Sequence, residues 1–248
     1  MIAIIALLVS MLAPSLQKAR EAAKTAVCLS NLKNLGVAFG VYLGESQGTF
    51  PGWYNPGNTY GYAESWNVLF VRAGSVPGFD FFDCPAEMGG DVKDIAPDGS
   101  SPEWNNKVMH GEYGYNYMSL GMKSRWMYGG ATDDFTPANE TELTTPAETI
   151  CLADSVFTLQ SHQAYGQRGY YVLSPWFNST SWTGAPAARH VLRANVLWAD
   201  SHCTTSDPMQ GLTESMSSYN TGDNPYMYAP FTNGSAGPNT TNNFWSRY

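Results

Sequence analysis

The first sixteen residues, Met1 to Leu16, read MIAIIALLVSMLAPSL, and no charge appears until Lys18. They run without a linker into QKAREAAKTAVCLSNLKNLGVAFGVYLGE, a stretch dominated by residues that favour helix. An apolar rod fused to an amphipathic rod has to leave water, either in a membrane or in the dry interior of a helical polymer. The helix is expected to run from near the N-terminus to about Glu45, on the order of 65–70 Å at about 1.5 Å per residue. Pro14 lacks an amide hydrogen and is expected to bend or loosen it. Further along, Cys28, Leu32, Leu35, Phe39 and Tyr42 recur at steps of four and three. This single apolar stripe predicts that the second half of the helix lies against a body.

The apolar run is short of the roughly 20 residues of a spanning helix. It also lacks the basic flank and small-residue cleavage site of a secretory signal, so the true beginning is expected to lie upstream. Lys18, Arg20, Lys24 and Lys33 against Glu21 give residues 1–33 a net charge of +3, and the remainder carries −11 of the total −8. The basic cluster suits phosphate headgroups, or equally a solvated helix face in which Lys18 and Lys24 bracket Glu21. Placing that cluster by the positive-inside rule alone would leave the body in the cytosol, a reading that ignores any upstream segment. An acidic body argues against nucleic acid, whose phosphates need a basic footprint.

Charged residues make up only 14% of the chain, with 24 Gly and 15 Pro, which suits a loop-rich, β-containing body better than a helical bundle. The expected organisation is a helix over residues 1–47 and a head over 48–248, an α+β chain with a long helical stalk on an antiparallel sheet. Within the head, Ser65–Val71 reads as a short helix and Glu112–Ser119 as extended. Thr149–Val156, Arg168–Leu173 and Ala194–Ala199 read as strands bounded by turn residues. Asp200-Ser201 would turn the chain so that His202–Thr205 returns beside the strand before it. Residues 206–248 read as irregular surface loop. The 8 Trp, 15 Tyr and 11 Phe fit an aromatic core. The alternative is a sugar-binding surface built on Trp53, Trp104, Trp126 and Trp182 in the turn-rich segments.

Cys28, Cys84, Cys151 and Cys203 form no C-x-x-C pair, which disfavours a zinc site of common spacing. An even, widely spaced set suits two disulfides in an exported domain, with three connectivities open. Cys28 lies on the stripe that faces the body, where a second cysteine can meet it. The preferred pairs are Cys28–Cys84 and Cys151–Cys203, the second because both are expected in neighbouring strands.

An ordered set of motifs then brings a family into view. IAIIALLVSMLAPSLQKAREAAK resembles the helical start of type IV pilin-like proteins from a point inside their usual pattern. The leader, the N-terminal Phe and the early Glu of that pattern are absent here. Cys28-Leu29-Ser30-Asn31-Leu32-Lys33, Tyr42, Phe50-Pro51, Trp66, Cys84-Pro85, Tyr113-Gly114-Tyr115-Asn116, Pro146-Ala147-Glu148-Thr149, Asp154, Arg189-His190 and Asn195 to His202 follow in order. Together, over roughly residues 1–205, they resemble bacterial prepilin-type proteins with the H-x9-D-G processing-associated domain. His190 and Asp200 hold the spacing, and Ser201 stands where Gly is usual, at a turn where a positive φ favours Gly.

The resemblance implies a structural subunit, a pilin or pseudopilin. Its precursor would sit in the inner membrane and pass to a pilus or type II secretion assembly machinery. Its partners would then be copies of itself in an extracellular filament. Ile2, Ile4, Ile5, Leu7, Leu8, Met11, Leu12, Pro14 and Leu16 would form the filament core. The rivals are a membrane-tethered carbohydrate-binding surface protein and a minor pseudopilin of a type II secretion system.

His190, Asp200, His202 and Asp154 are the only cluster with chemistry in reach. No G-x-S-x-G, H-E-x-x-H or phosphate loop accompanies it, so no enzyme is expected. The simplest expectation is that His190 and Asp200 pair to lock a turn. The alternative is a cation site on Asp154, Asp200 and His190 with backbone carbonyls, suited to Ca2+ by its oxygen ligands; no other cofactor is expected. Asn139, Asn178, Asn233 and Asn239 match the N-glycosylation pattern, which an Asn- and Thr-rich chain matches often by chance.

Overall fold

The computed structural model describes residues 2–52, 65–86, 111–122, 135–157, 169–173, 184–187, 189–191 and 193–206. Helix α1 spans Ile2–Glu45 and continues through Pro14. It stops where Gln47 and Gly48 adopt left-handed φ values of 56° and 80°, and the Gly48 amide donates to the Leu43 carbonyl at 2.7 Å. The expected stripe is the buried face: Cys28, Leu32, Leu35 and Phe39 are enclosed and Tyr42 packs at the edge.

The stripe meets an aromatic cluster. Helix α2 (Trp66–Arg72) presents Trp66 and Phe70 to Phe39, whose ring meets Phe70 edge-on at 4.7 Å between centroids. Phe82 and Tyr115 close the cluster against Trp66. Its polar edges are satisfied: Trp66 Nε1 donates to the Tyr171 carbonyl at 2.7 Å and the Tyr115 hydroxyl to the Pro51 carbonyl at 3.0 Å. In the described part of the chain, these aromatics build the core.

Among the described residues six strands form one sheet: β1 (Tyr113–Asn116), β2 (Ile150–Phe157), β3 (Val172–Leu173), β4 (Gly184–Pro186), β5 (Ala194–Trp198) and β6 (Cys203–Ser206). On one side β2 pairs with β1, and both β4 and β5 run antiparallel to it, β4 against 155–157 and β5 against 150–153. The chain thus follows β2 as β4, leaves it opposite Asp154, and rejoins it as β5. β3 lies between β1 and β4 and runs parallel to both. The sheet is therefore mixed, which corrects the antiparallel expectation. Parallel neighbours cannot be joined by a two-residue hairpin, and ten residues separate β3 from β4 in sequence.

The pairings β1–β3–β4–β2–β1 close a small circuit. Ser155 sits in it, donating to the Tyr170 carbonyl at 2.8 Å and accepting from the Tyr170 amide at 2.9 Å. Closure is tight: a Cβ on Gly114 would lie 2.6 Å from Leu173 Cγ. The β-strand motif of residues 113–116 thus needs its glycine for close approach.

The return strand is as expected, with Ala194 opposite Ser206 and Leu197 opposite Cys203. Ser201 does adopt the left-handed φ, 70°, and its hydroxyl lies 3.5 Å from the Gly36 carbonyl, to which it donates. A Cβ on Gly36 would approach Leu197 Cδ1 to 2.9 Å, so this helical glycine lets the stalk settle onto the β5–β6 turn.

Candidate functional site

Five segments bring polar side chains to one enclosed point beneath α1. Cys28 comes from the stripe of α1, and Cys84 follows the single turn of 3-10 helix at Phe79–Phe82. Glu112 and Tyr113 open β1, and Asp154 and Ser155 lie mid-β2. Arg189 and His190 come from the excursion between β4 and β5. That excursion is held open by its own bonds: the Ala187 amide donates to the Asp154 carbonyl at 2.8 Å, and His190 and Arg193 exchange backbone hydrogen bonds.

Two sub-clusters result. In the first, the Arg189 guanidinium forms an ion pair with Glu112 and donates to the Ser155 carbonyl. The other Glu112 carboxylate oxygen accepts from the Gly169 amide at 3.1 Å. Such a pair is stable in the interior because each charge has a partner and hydrogen bonds besides.

In the second, Cys28 and Cys84 form a disulfide, with Cα atoms 5.7 Å apart, inside the usual span. The expected first pairing therefore holds, and it staples stalk to body across 56 residues of sequence. His190 Nε2 lies 3.4 Å from Cys84 Sγ and 3.4 Å from Asp154 Oδ2. Asp154 Oδ1 is 3.9 Å from Cys28 Sγ, and its Oδ2 accepts from the Asn195 amide at 2.7 Å. The Tyr113 hydroxyl is 3.1 Å from Cys28 Sγ. None of these groups reaches solvent: Cys28 and Asp154 are 0% exposed, Cys84 1% and His190 2%.

Burial sets the protonation. It pushes the Asp154 carboxyl up to about 7, against the opposing pull of the Asn195 amide and the Arg189 charge. It pushes the His190 imidazole down to about 4, and the Arg189 charge lowers it further. Between those values the carboxyl is protonated and the ring neutral, so their contact carries no net charge. The Tyr113 hydroxyl is raised by burial and by Asp154 far above its ordinary range, so it stays a hydrogen-bond donor.

Several expectations are corrected here. His190 does not pair with Asp200; it pairs with Asp154, because the excursion turns it inward while Asp200 sits in the exposed β5–β6 turn. Asp200 instead meets His202, whose Nδ1 lies 2.5 Å from its Oδ1. The cation set Asp154, Asp200 and His190 is accordingly split, with only Asp154 and His190 together. Nor do Cys151 and Cys203 pair: both are free thiols, on β2 and β6, with β5 between them. Two strand spacings of about 4.8 Å exceed the roughly 7 Å that a disulfide bridges.

Asn139 caps the 3-10 turn Glu140–Glu142, and its Nδ2, the atom a glycan would occupy, donates to the Gln47 carbonyl at 2.9 Å. Asn178, Asn233 and Asn239 lie outside the described residues, as do Trp53, Trp104, Trp126 and Trp182. Lys24 meets Glu21 at 3.3 Å, as the helical spacing predicts.

Along the first half of α1, Ile4, Ile5, Leu8, Val9, Met11, Leu12 and Leu16 are 54–72% exposed. The side chains of Ile2 and Leu7 lie outside the described set. By length and composition α1 can cross a membrane. Sequence reasoning missed Glu112 as a site residue and gave Arg189 no role. The available signal was an acidic residue set directly before an aromatic strand. The chain matches no family model, no curated protein and no solved structure.

Proposed function

We propose that this chain is a structural subunit of pilin or pseudopilin type, which polymerises through the first half of α1 into an extracellular helical filament. The observation that carries this reading is the row of large apolar side chains from Ile4 to Leu16, exposed on a helix whose continuation is locked into the body. Burying each recovers about 1.5–3 kcal/mol, and seven of them give on the order of 10–20 kcal/mol. That is comparable with the roughly 4–15 kcal/mol lost in freedom on association, so packing alone can hold a subunit in place. Val27, Val37 and Val41 extend apolar surface along the outer side of the second half. Head-to-tail contacts whose rotation does not close give an open helix.

The precursor would rest in a membrane, with Lys18, Arg20 and Lys24 at the headgroups. Length and apolar composition of α1 support that stage and equally support a permanently tethered surface protein. Electron microscopy of the native material, with and without detergent, separates the two. Filaments that dissolve only in detergent support the subunit reading; dispersed particles at every concentration, with α1 intact, overturn it.

A further inference from the structure

The enclosed cluster beneath α1 holds two sulfurs, one imidazole and one carboxylate, and their ligand atoms all lie within 4.8 Å of one another. We propose that, when Cys28 and Cys84 are thiols, these two residues with Asp154 and His190 form a tetrahedral zinc site. The zinc ion and the disulfide are then alternative cross-links between stalk and body. This inference does not depend on the filament reading.

The geometry carries it. Zinc bonds of about 2.3 Å to sulfur and about 2.0–2.2 Å to nitrogen or oxygen place neighbouring ligand atoms about 3.3–3.8 Å apart in a tetrahedron. The cluster shows 3.4 Å from Cys84 Sγ to His190 Nε2, 3.4 Å from His190 Nε2 to Asp154 Oδ2, and 3.9 Å from Cys28 Sγ to Asp154 Oδ1. Two edges of a tetrahedron, those from His190 to Cys84 and to Asp154 Oδ2, are thus already at coordination length, and the Cys28 sulfur faces the other oxygen of the same carboxylate. The two sulfurs must part, from a bond of about 2 Å to an edge of about 3.8 Å, or about 1 Å each, and the remaining pairs start within 4.8 Å.

The ligand set also selects the metal. Two thiolates and an imidazole favour zinc over calcium, which takes six to eight oxygens. The surroundings supply an outer shell: the Tyr113 hydroxyl stands 3.1 Å from Cys28 Sγ, and the Asn195 amide holds Asp154 Oδ2 at 2.7 Å. Coordination through Nε2 leaves the ring proton of His190 on Nδ1. The wide spacing of the four ligands hides the site from a motif search, since no two of them share a C-x-x-C.

The exchange balances. A dithiol donates two electrons and two protons to the Cys28–Cys84 bond, which breaks to two thiols while the dithiol closes to its own disulfide. Zn2+ then displaces both thiol protons, and the carboxyl proton of Asp154 where it is present, to solvent. The occupied site carries two thiolates, one carboxylate and a neutral imidazole around the dication.

The test uses the full chain, reduced with a dithiol, desalted without oxygen, and titrated with Zn2+ or Co2+. Elemental analysis should give one zinc per reduced chain and none per oxidised chain. The Co2+ form should show the intense visible bands of tetrahedral cobalt with sulfur-to-metal charge transfer. His190→Gln and Asp154→Asn should each weaken binding by about tenfold or more. A Cys151→Ser, Cys203→Ser double variant should bind as the parent does. A reduced chain that remains folded by circular dichroism yet takes up no metal overturns the proposal. So do an octahedral cobalt spectrum and a loss of binding on removing Cys151 and Cys203. The cobalt spectrum of the parent chain decides the matter even where a variant fails to fold.

Discussion

From Ile4 to Leu16 the large side chains of α1 stand mostly in solvent, whereas Cys28, Leu32 and Leu35 on the same helix are fully enclosed. The helical backbone hardly differs between the two halves. What differs is the partner: the second half has a sheet, an aromatic cluster and a disulfide against it, and the first half has none among the described residues. Periodicity makes a rod, but only a matching surface decides whether the rod is buried. The pattern itself registers this. The second half carries a stripe with polar residues on its other faces, while the first is apolar all round, as suits a helix surrounded on every side.

Identical changes in the two halves should therefore have opposite signatures. Leu8→Glu with Leu12→Glu should abolish polymer, read by electron microscopy and sedimentation, while the thermal unfolding of the head stays unchanged. Loss of head stability would instead mean that this half packs on the body. The next largest effect lies in the body. Arg189→Met, which strands the Glu112 charge in the interior, should cost about 3–5 kcal/mol in denaturant unfolding. Leu35→Ala should cost about 2–5 kcal/mol through its cavity, whereas Leu12→Ala should leave unfolding of the isolated subunit unchanged. Reducing the Cys28–Cys84 bond without metal should remove about 2–4 kcal/mol and loosen the second half of α1, read by hydrogen exchange at 28–39.

The smallest effect belongs to the exposed turn. Burial pushes the Asp200 carboxyl up, but the hydrogen bonds and charge of His202 outweigh it and hold it below its ordinary value. A depressed carboxylate stabilises the fold above its unfolded pKa of about 4 and loses that contribution as pH falls through the folded value. Asp200→Asn should slightly lower stability at neutral pH and flatten the acid limb, the variant and the parent converging below about pH 4. A loss that persists below about pH 4, where the carboxyl is protonated in both states, would give this turn a larger share in holding α1 than the Gly36 contact implies.

Local signals made much of the fold legible. The helix end near Glu45, the short helix at Trp66, and the strands at Ile150, Ala194 and Cys203 all have periodic or turn-bounded patterns. β4 has neither: Gly184-Ala185-Pro186 carries a proline and only three residues, and it is a strand because β2 is already there to pair with. The parallel seat of β3 is likewise a property of ring closure, which no single segment encodes. The site was half legible. Cys28, Cys84, Asp154 and His190 each stood out in the sequence, but the His190–Asp200 interval drew the histidine toward the wrong aspartate. The interval instead measures from a buried point at one end of β5 to an exposed turn at the other. Cys151 and Cys203 misled for a similar reason: both lie in strands of one sheet, and sequence does not say that β5 runs between them.

Both ends of β5 are tied to α1, through the His190 cluster at Cys28 and through Ser201 at Gly36. Those two fastenings are eight residues apart, about 12 Å along the axis. Ile4 lies 24 residues beyond Cys28, about 36 Å, so the free half is a lever some three times longer than its mount. A slip of about 1 Å at Gly36 would swing the tip by about 3 Å, most of the width of a methyl group. The narrow seat of a glycine against a serine thus aims the whole rod, and in the proposed filament it would set the angle at which subunits stack.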